Sequence, residues 1–175
     1  MAPIRKGDGT PLELPGVSEV RSGDGRVFFD AIPDSVVSRP NDDDSTTRTE
    51  KEGLEIEVKS DWPSIGVEIS NNSSGASTAY LQDSNGNEIQ TTDISELSSG
   101  DAFTFDEVNL QSGNKYRILL DDGGNSWTLG FTSGGLDYPY TSDDVDITAT
   151  VENDDEVTTS DVVRAVDNIG NVGFN

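Results

Sequence analysis

Cysteine and histidine are both absent from this chain of 175 residues. The lack of cysteine excludes disulfide bonds, thiol catalysis and thiolate metal sites, and the lack of histidine removes the commonest general base. Paired carboxylates can support glycoside hydrolysis, but among 34 acidic residues some pair will lie at a suitable separation by chance. We therefore expect a protein that is not an enzyme, with an acidic hydrolase as an alternative.

Basic residues are scarce as well, since 11 Lys and Arg stand against 34 Asp and Glu and give a net charge of −23. Binding to nucleic-acid phosphates requires a basic face, so we expect no nucleic-acid partner. Like charges repel each other in dilute buffer, whereas at about 1 M salt the Debye length falls to about 3 Å. The composition favours a haloarchaeal protein adapted to brine, and an acidic surface protein from an ordinary medium is the alternative.

Long apolar runs are missing too. No segment approaches the roughly 18 apolar residues that cross a membrane, so we expect no membrane insertion. The first residues, MAPIRKGDGT, lack the apolar stretch of a secretory signal, and none is expected. Only 31% of the residues are hydrophobic. Because these residues fall into short alternating runs, they predict a small folded core rather than a disordered chain.

The charge is unevenly distributed along the chain. Residues 1–33 contain four basic and five acidic residues, whereas residues 60–175 contain three basic and 21 acidic residues. The nearly neutral segment is suited to being covered by a partner, and the acidic segment is suited to facing a salty solvent. We therefore divide the chain into an N-terminal anchoring and assembly arm (1–33), an acidic linker (34–53) and an exposed domain (54–175).

The arm contains the sequence VSEVRSGDGRVFF (17–29), which predicts a β-hairpin with its turn at residues 23–25. An isolated two-stranded hairpin is only marginally stable in water, so this one needs a surface to pack on. The candidate anchoring residues are Val17, Val20, Arg21, Arg26, Val27, Phe28 and Phe29. The linker that follows contains Pro40, Asn41 and three consecutive aspartates, a composition that does not build a core.

Short strand-like runs dominate the exposed domain. The run LEIEV (54–58) alternates between apolar and polar residues, which places its apolar residues on one face of a strand. Similar runs follow at 65–69, 78–82, 88–94, 102–108, 115–120, 127–131, 145–151 and 161–166. Turn signals about every ten residues predict an all-β fold, an antiparallel β-sandwich of the jelly-roll type. The run 161–166 could instead form a helical turn, and residues 167–171 are interpreted as a turn.

One loop has the spacing of a metal site. Asp83, Asn85 and Asn87 alternate as oxygen ligands do in a calcium-binding loop, and further acidic loops lie at 121–125 and 143–146. Ca²⁺ or Mg²⁺ ions are therefore the cofactors to consider, and no other cofactor is expected. No bidentate glutamate follows at the EF-hand position. The alternative is that these residues form hairpin turns and an acidic rim without a metal.

Aromatic residues cluster late in the chain. Trp127, Tyr138 and Tyr140 lie close together in sequence, separated by several glycines and Pro139. Aromatic rings at the rim of a β-sandwich can stack on sugar faces, so these three residues are candidates for glycan binding. The alternatives are that Trp127 fills the core and that the two tyrosines lie at an oligomer interface.

Two segments support a resemblance to known proteins. Residues 4–40, with VSEV, DGRVFF and AIPDS, resemble the N-terminal segment of structural proteins from haloarchaeal tailed viruses. Residues 62–131 are similar to a β-sandwich module of haloarchaeal viral and surface proteins. The resemblance implies a non-enzymatic component exposed on the virion surface, such as a head turret, spike or tail fibre.

The resemblance also sets the expected partners. An anchored projection would bind other virion proteins, form a symmetric homo-oligomer and contact a host cell-surface glycan. The alternative is a carbohydrate-binding module of a haloarchaeal cell-surface or secreted protein. A carbohydrate-binding module would bind sugar as a monomer, whereas an anchored projection requires its arm for assembly.

Overall fold

The computed structural model describes residues 19–23, 26–30, 36–39, 42–132, 137–159 and 165–172. These residues form antiparallel β-strands joined by turns, with no helix among them. The prediction of an all-β fold is therefore confirmed. In this part of the chain there is accordingly no helix with the length and apolarity needed to cross a membrane.

The strand bounds follow the alternating runs of the sequence. The predicted runs at 54–58 and 65–69, for example, both form strands. In chain order the strands are β1 (Glu19–Gly23), β2 (Arg26–Asp30), β3 (Asp44–Arg48), β4 (Glu52–Val58), β5 (Ile65–Ile69), β6 (Thr78–Asp83), β7 (Glu88–Asp93), β8 (Ala102–Phe105), β9 (Lys115–Asp121), β10 (Trp127–Phe131), β11 (Tyr140–Thr141), β12 (Val145–Glu152), β13 (Glu156–Thr158) and β14 (Val166–Asn171).

The larger sheet has the strand order β11-β12-β4-β9-β6-β7, with β13 also paired to β12. At its centre Leu54 lies opposite Ile118, and both side chains are fully buried. Glu55 and Arg117, one position further along, lie opposite each other. Because successive residues of a strand point to opposite faces, the sheet has an apolar inner face and a polar outer face.

The smaller sheet has the order β14-β5-β8. Its paired residues Ile65 and Phe105 are fully buried, and they belong to the same hydrophobic cluster as Leu54 and Ile118 of the larger sheet. The two sheets therefore contribute to a common core. Full burial of an aliphatic or aromatic side chain contributes about 1.5–3 kcal/mol, so this shared cluster supplies most of the driving force for folding.

The segment predicted as an acidic linker is, in its described residues, built into the fold. Val37 exchanges two main-chain hydrogen bonds with Ile169 of β14, at 3.0 and 2.9 Å, and is 2% exposed. Strand β3 pairs with β10, and β4 already begins at Glu52. The linker prediction relied on the lack of apolar residues, but an edge strand needs only main-chain hydrogen bonds and tolerates polar side chains.

Residues 167–171, interpreted from the sequence as a turn, form most of strand β14 instead. The strand pairs with β5 on both sides of an irregularity between Asp167 and Gly170, where Asn168 has a positive φ of 43°. The turn-like residues therefore mark a β-bulge inside a strand, which has the same preference for Asn and Gly as a turn. The earlier part of run 161–166, up to residue 164, lies outside the described residues.

Residues 84–87 form a hairpin turn, because β6 and β7 pair on either side of them and Gly86 has a φ of 82°. Strands β1 and β2 pair with each other as a separate two-stranded sheet, with Glu19 opposite Asp30. Among the candidate anchoring residues, Val17 and the side chains of the others lie outside the described part of the chain.

Candidate functional site

Trp127, a candidate for sugar stacking, lies in the core. Its side chain is 2% exposed, and its Nε1 donates a hydrogen bond to the main-chain oxygen of Glu50 at 3.2 Å. A ring buried in this way presents no face to a sugar in this structure. This position agrees with the alternative that Trp127 fills the core.

Tyr138 and Tyr140 are half-buried and pack against the same core. Their rings meet edge to face, with centroids 5.4 Å apart. The hydroxyl of Tyr138 accepts a hydrogen bond from Arg39 Nη1 at 2.9 Å and shares one with Thr150 Oγ1 at 2.8 Å. These contacts hold the tyrosines to neighbouring segments, and a role in glycan binding stays a prediction.

The Asp83 loop is a hydrogen-bonded turn in this structure. Asp83 Oδ1 accepts hydrogen bonds from the main-chain nitrogens of Asn85 and Asn87, at 2.8 and 2.9 Å. Its Oδ2 accepts one from Asn87 Nδ2 at 2.8 Å. These bonds, led by the Asn87 side chain, lower the pKa of Asp83. The carboxylate faces N–H donors, which would repel a cation rather than help to bind it.

The other acidic loops are also engaged with the protein. Asp146 forms an ion pair with Lys59 at 2.6 Å, and Asp144 accepts a hydrogen bond from Ser60 Oγ at 3.0 Å. Asp122 caps a turn through its main-chain oxygen, which accepts from Asn125 Nδ2. Within the described ranges no group of three acidic residues is placed to hold a metal ion.

A polar depression lies on the outer face of the larger sheet. It is an open concavity of about 370 Å³ that lies between the β6–β7 turn and the β12–β13 turn. We call it the cationic concavity. Its lining residues are Lys51, Gln82, Asn85, Gly86, Arg117, Asp154 and Asp155.

The charge of this concavity is unusual for so acidic a chain. The structure describes the side chains of the basic residues Arg39, Arg48, Lys51, Lys59, Lys115 and Arg117. Three of them form ion pairs: Arg48 with Glu52, Lys59 with Asp146 and Lys115 with Glu55. Lys51 and Arg117 form none among the described residues, yet they line the same concavity. Two basic residues without an ion pair among the described residues are thus held together, and two acids, Asp154 and Asp155, line the same concavity.

Strand register explains why Arg117 remains unpaired. Arg117 lies between Glu55 on β4 and Gln82 on β6. The carboxylate of Glu55 is already occupied, since its Oε1 accepts hydrogen bonds from Lys115 Nζ at 2.6 Å and from Thr148 Oγ1 at 2.9 Å. Arg117 lines the concavity instead, with its Nη1 beside Gly86.

Two atoms at the base of the concavity lack hydrogen-bond partners. The Nε of Arg117 is buried with no acceptor, and Oε1 of Gln82 is buried with no donor. Gln82 as a whole is only 7% exposed. A buried polar atom without a partner costs about 1–3 kcal/mol, so a ligand in the concavity that supplies the missing groups would favour a shift of these two side chains toward it.

Neighbouring residues hold Lys51 in position. Its Nζ lies 4.0 Å from the centre of the Tyr80 ring, a cation–π contact. Burial, followed by the negative charge of Asp121, raises the pKa of Tyr80, so this ring remains a neutral phenol. Asp154 Oδ1 accepts a hydrogen bond from the main-chain nitrogen of Lys51 at 3.1 Å, which fixes the β12–β13 turn beside it.

The β6–β7 turn closes the other side of the concavity. A side chain at Gly86 would begin 3.7 Å from Arg117 Nη1 and would require the φ of +82° that glycine adopts readily. Glycine therefore leaves the guanidinium accessible. The sequence alone does not identify this site, because its residues are distant in the chain. The one available signal was the rarity of basic residues, which makes each unpaired one informative.

No family model, no curated protein and no solved structure matches this chain.

Proposed function

We propose that the chain is a non-enzymatic structural protein of a virion in a high-salt environment. Its N-terminal arm anchors it to the particle, and its acidic domain, a jelly-roll-like β-sandwich, projects into solvent. The observation that carries this proposal is the separate two-stranded sheet formed by β1 and β2. A lone hairpin is marginally stable, so one that pairs with no further described strand is suited to packing on another protein.

The charge difference supports the same division. The arm holds four basic and five acidic residues, so it adds little net-charge repulsion against an acidic partner, whereas residues 60–175 hold three basic and 21 acidic residues. Residues 4–40, which include most of the arm and the first residues of the linker, also resemble virion proteins. As an anchored projection, the protein assembles as a homo-oligomer with other virion proteins, and its outer face is available to a host-surface glycan.

The anchoring role is tested by removing residues 1–33 from the protein produced during infection. We expect the shortened chain to keep its folded domain, seen as an unchanged cooperative thermal transition, and to be missing from purified particles. The matched control is Asp24→Asn, which keeps the length of the arm and changes one residue of the turn predicted from the sequence. Particles that contain the shortened chain at the normal level would refute the anchor.

A carbohydrate-binding module of a haloarchaeal surface or secreted protein is the second candidate function. The cationic concavity favours it, because binding sites combine a concave shape with a few well-placed polar groups. The two candidates differ in whether they need the arm. If a monomer that lacks residues 1–33 binds sugar, and the full chain joins no particle, the result would support the carbohydrate-binding module.

A further inference from the structure

We propose that the cationic concavity binds a sugar that carries a carboxylate, a saccharide of the uronic acid class. The proposal rests on the proposed function in one respect, namely that this outer face is exposed to surface glycans. It defines a site on the face formed by β6 and β9, away from Tyr138 and Tyr140, the tyrosines considered as candidates for glycan binding.

Arg117 supplies the recognition of the carboxylate. A guanidinium presents several N–H donors in a planar fork that matches the two oxygens of a carboxylate. In the described structure Arg117 forms no ion pair, and its Nε is buried without an acceptor. A ligand carboxylate would satisfy the fork with charge-assisted hydrogen bonds, which are about twice as strong as neutral ones.

Gln82 indicates that the ligand must also donate a hydrogen bond. Its Oε1 is a buried acceptor without a donor, and it lies on the strand position paired with Arg117. A carboxylate, an inorganic sulfate or a chloride ion has no hydrogen to give to this atom. A hydroxyl group does, so a ligand with a carboxylate next to hydroxyls satisfies both orphaned atoms.

The rim of the concavity agrees with this chemistry. Asp154 and Asp155 are exposed and acidic, and they would accept hydrogen bonds from sugar hydroxyls. Lys51, held over Tyr80, places a second positive charge beside the guanidinium. The volume of about 370 Å³ lies in the lower part of the range for small-molecule sites, which suits a mono- or disaccharide.

The net charge of −23 decides the conditions in which such a site works. In dilute buffer the whole protein repels an acidic sugar. At about 1 M salt the Debye length is about 3 Å, so this repulsion disappears while hydrogen bonds between touching groups remain. The site is therefore suited to binding an acidic ligand in brine.

The test is calorimetric titration of the full chain with digalacturonate at about 1 M KCl, the concentration at which screening is short-ranged. Lactose serves as the uncharged disaccharide, and sodium sulfate is added as a competitor. We expect digalacturonate to bind, lactose not to bind and sulfate not to displace the sugar. Absence of digalacturonate binding, equal binding of lactose, or displacement by sulfate at concentrations equal to the sugar would each overturn the proposal.

Variants locate the binding to the concavity. Arg117→Gln should weaken digalacturonate binding by about tenfold or more, the effect of losing a charged hydrogen bond, and Asn85→Asp should weaken it by adding a negative charge on the exposed turn. Lys59→Gln is the matched control, because it removes a cation that is paired with Asp146 and does not line the concavity. Equal affinity in Arg117→Gln and Lys59→Gln, with both folded by thermal melting, would exclude the site.

The result is separable from the anchoring role. If digalacturonate does not bind but the chain lacking residues 1–33 still fails to join particles, the sugar site is wrong and the anchor stands. If the sugar binds and the shortened chain is incorporated normally, the anchor is wrong and the site stands.

Discussion

Glu52 begins the central strand β4 with its side chain fully buried, at 0% exposure. Arg48 Nε lies 3.3 Å from its Oε1, yet burial outweighs this attraction and raises the pKa of Glu52 to about 7 from 4.5. Between pH 4.5 and about 7, the Glu52 carboxyl has lost its proton in the unfolded chain but retains it in the folded chain. Unfolding therefore releases a proton, and this residue makes the protein less stable as the pH rises from 4.5 to about 7.

Replacing Glu52 with Gln removes this titration while keeping the shape of the side chain. We expect Glu52→Gln to match the wild type near pH 4.5 and to be more stable at pH 8, by on the order of 2 kcal/mol. Urea unfolding at the two pH values, in concentrated KCl, measures the difference. The same change at Glu57, half-buried on the outer face, reports the effect of removing one negative charge. Parallel pH dependence in wild type and Glu52→Gln would show the explanation to be wrong.

Residues 36–39 are the element whose position differs most from the sequence prediction. Val37 pairs with Ile169, and Arg39 is 4% exposed. The main-chain nitrogen of Arg39 donates to Asp167 Oδ1 at 3.0 Å, and its Nη2 donates to the Val166 oxygen at 3.2 Å. These contacts extend the smaller sheet by a short edge segment, so the folded domain includes residues that precede residue 54.

The edge segment makes a stability prediction with a neighbouring control. Val37→Ala removes buried methyl groups and should cost about 1–3 kcal/mol. Val36→Ala alters the adjacent residue, which is 36% exposed, and should change the stability by less than about 0.5 kcal/mol. Denaturant midpoints compare the two variants. Equal midpoints would mean that this segment is a linker after all.

Strands with apolar alternation were predictable from the sequence, and strands without it were not. The runs that became β4 and β5 place apolar residues every second position, which local physics alone can identify. Strand β3, with the sequence DSTTR, has no apolar residue, and its identity as a strand depends on β10 lying beside it. The cationic concavity was hidden for the same reason, because Gln82 meets Arg117 only through the register of β6 on β9.

Across the whole molecule, like charges repel each other and lower the stability. Of the influences on stability that the solvent controls, this repulsion is the main one. The chain carries a net charge of −23, and three of the basic residues with described side chains already pair with acids. Few cations remain to offset the other carboxylates. Dissolved salt must therefore supply most of the screening.

Thermal melting should consequently depend on salt. We expect the melting temperature to rise between about 0.1 M and about 1 M KCl, over which the Debye length falls from about 10 Å to about 3 Å. Sucrose, which stabilises by exclusion from the protein surface without screening charge, is the control and should not reproduce the full rise. Identical melting curves at the two KCl concentrations would contradict adaptation to brine.

The buried side chain of Arg39 has a mechanical consequence for an anchored projection. Its guanidinium joins Tyr138 and the main chain of Val166, and Val37 beside it pairs with Ile169. A pull on the arm would reach these contacts before it reached the central strands. If residues 1–33 anchor the protein as proposed, the load would be shared among the segments that contain Arg39, Tyr138 and Val166.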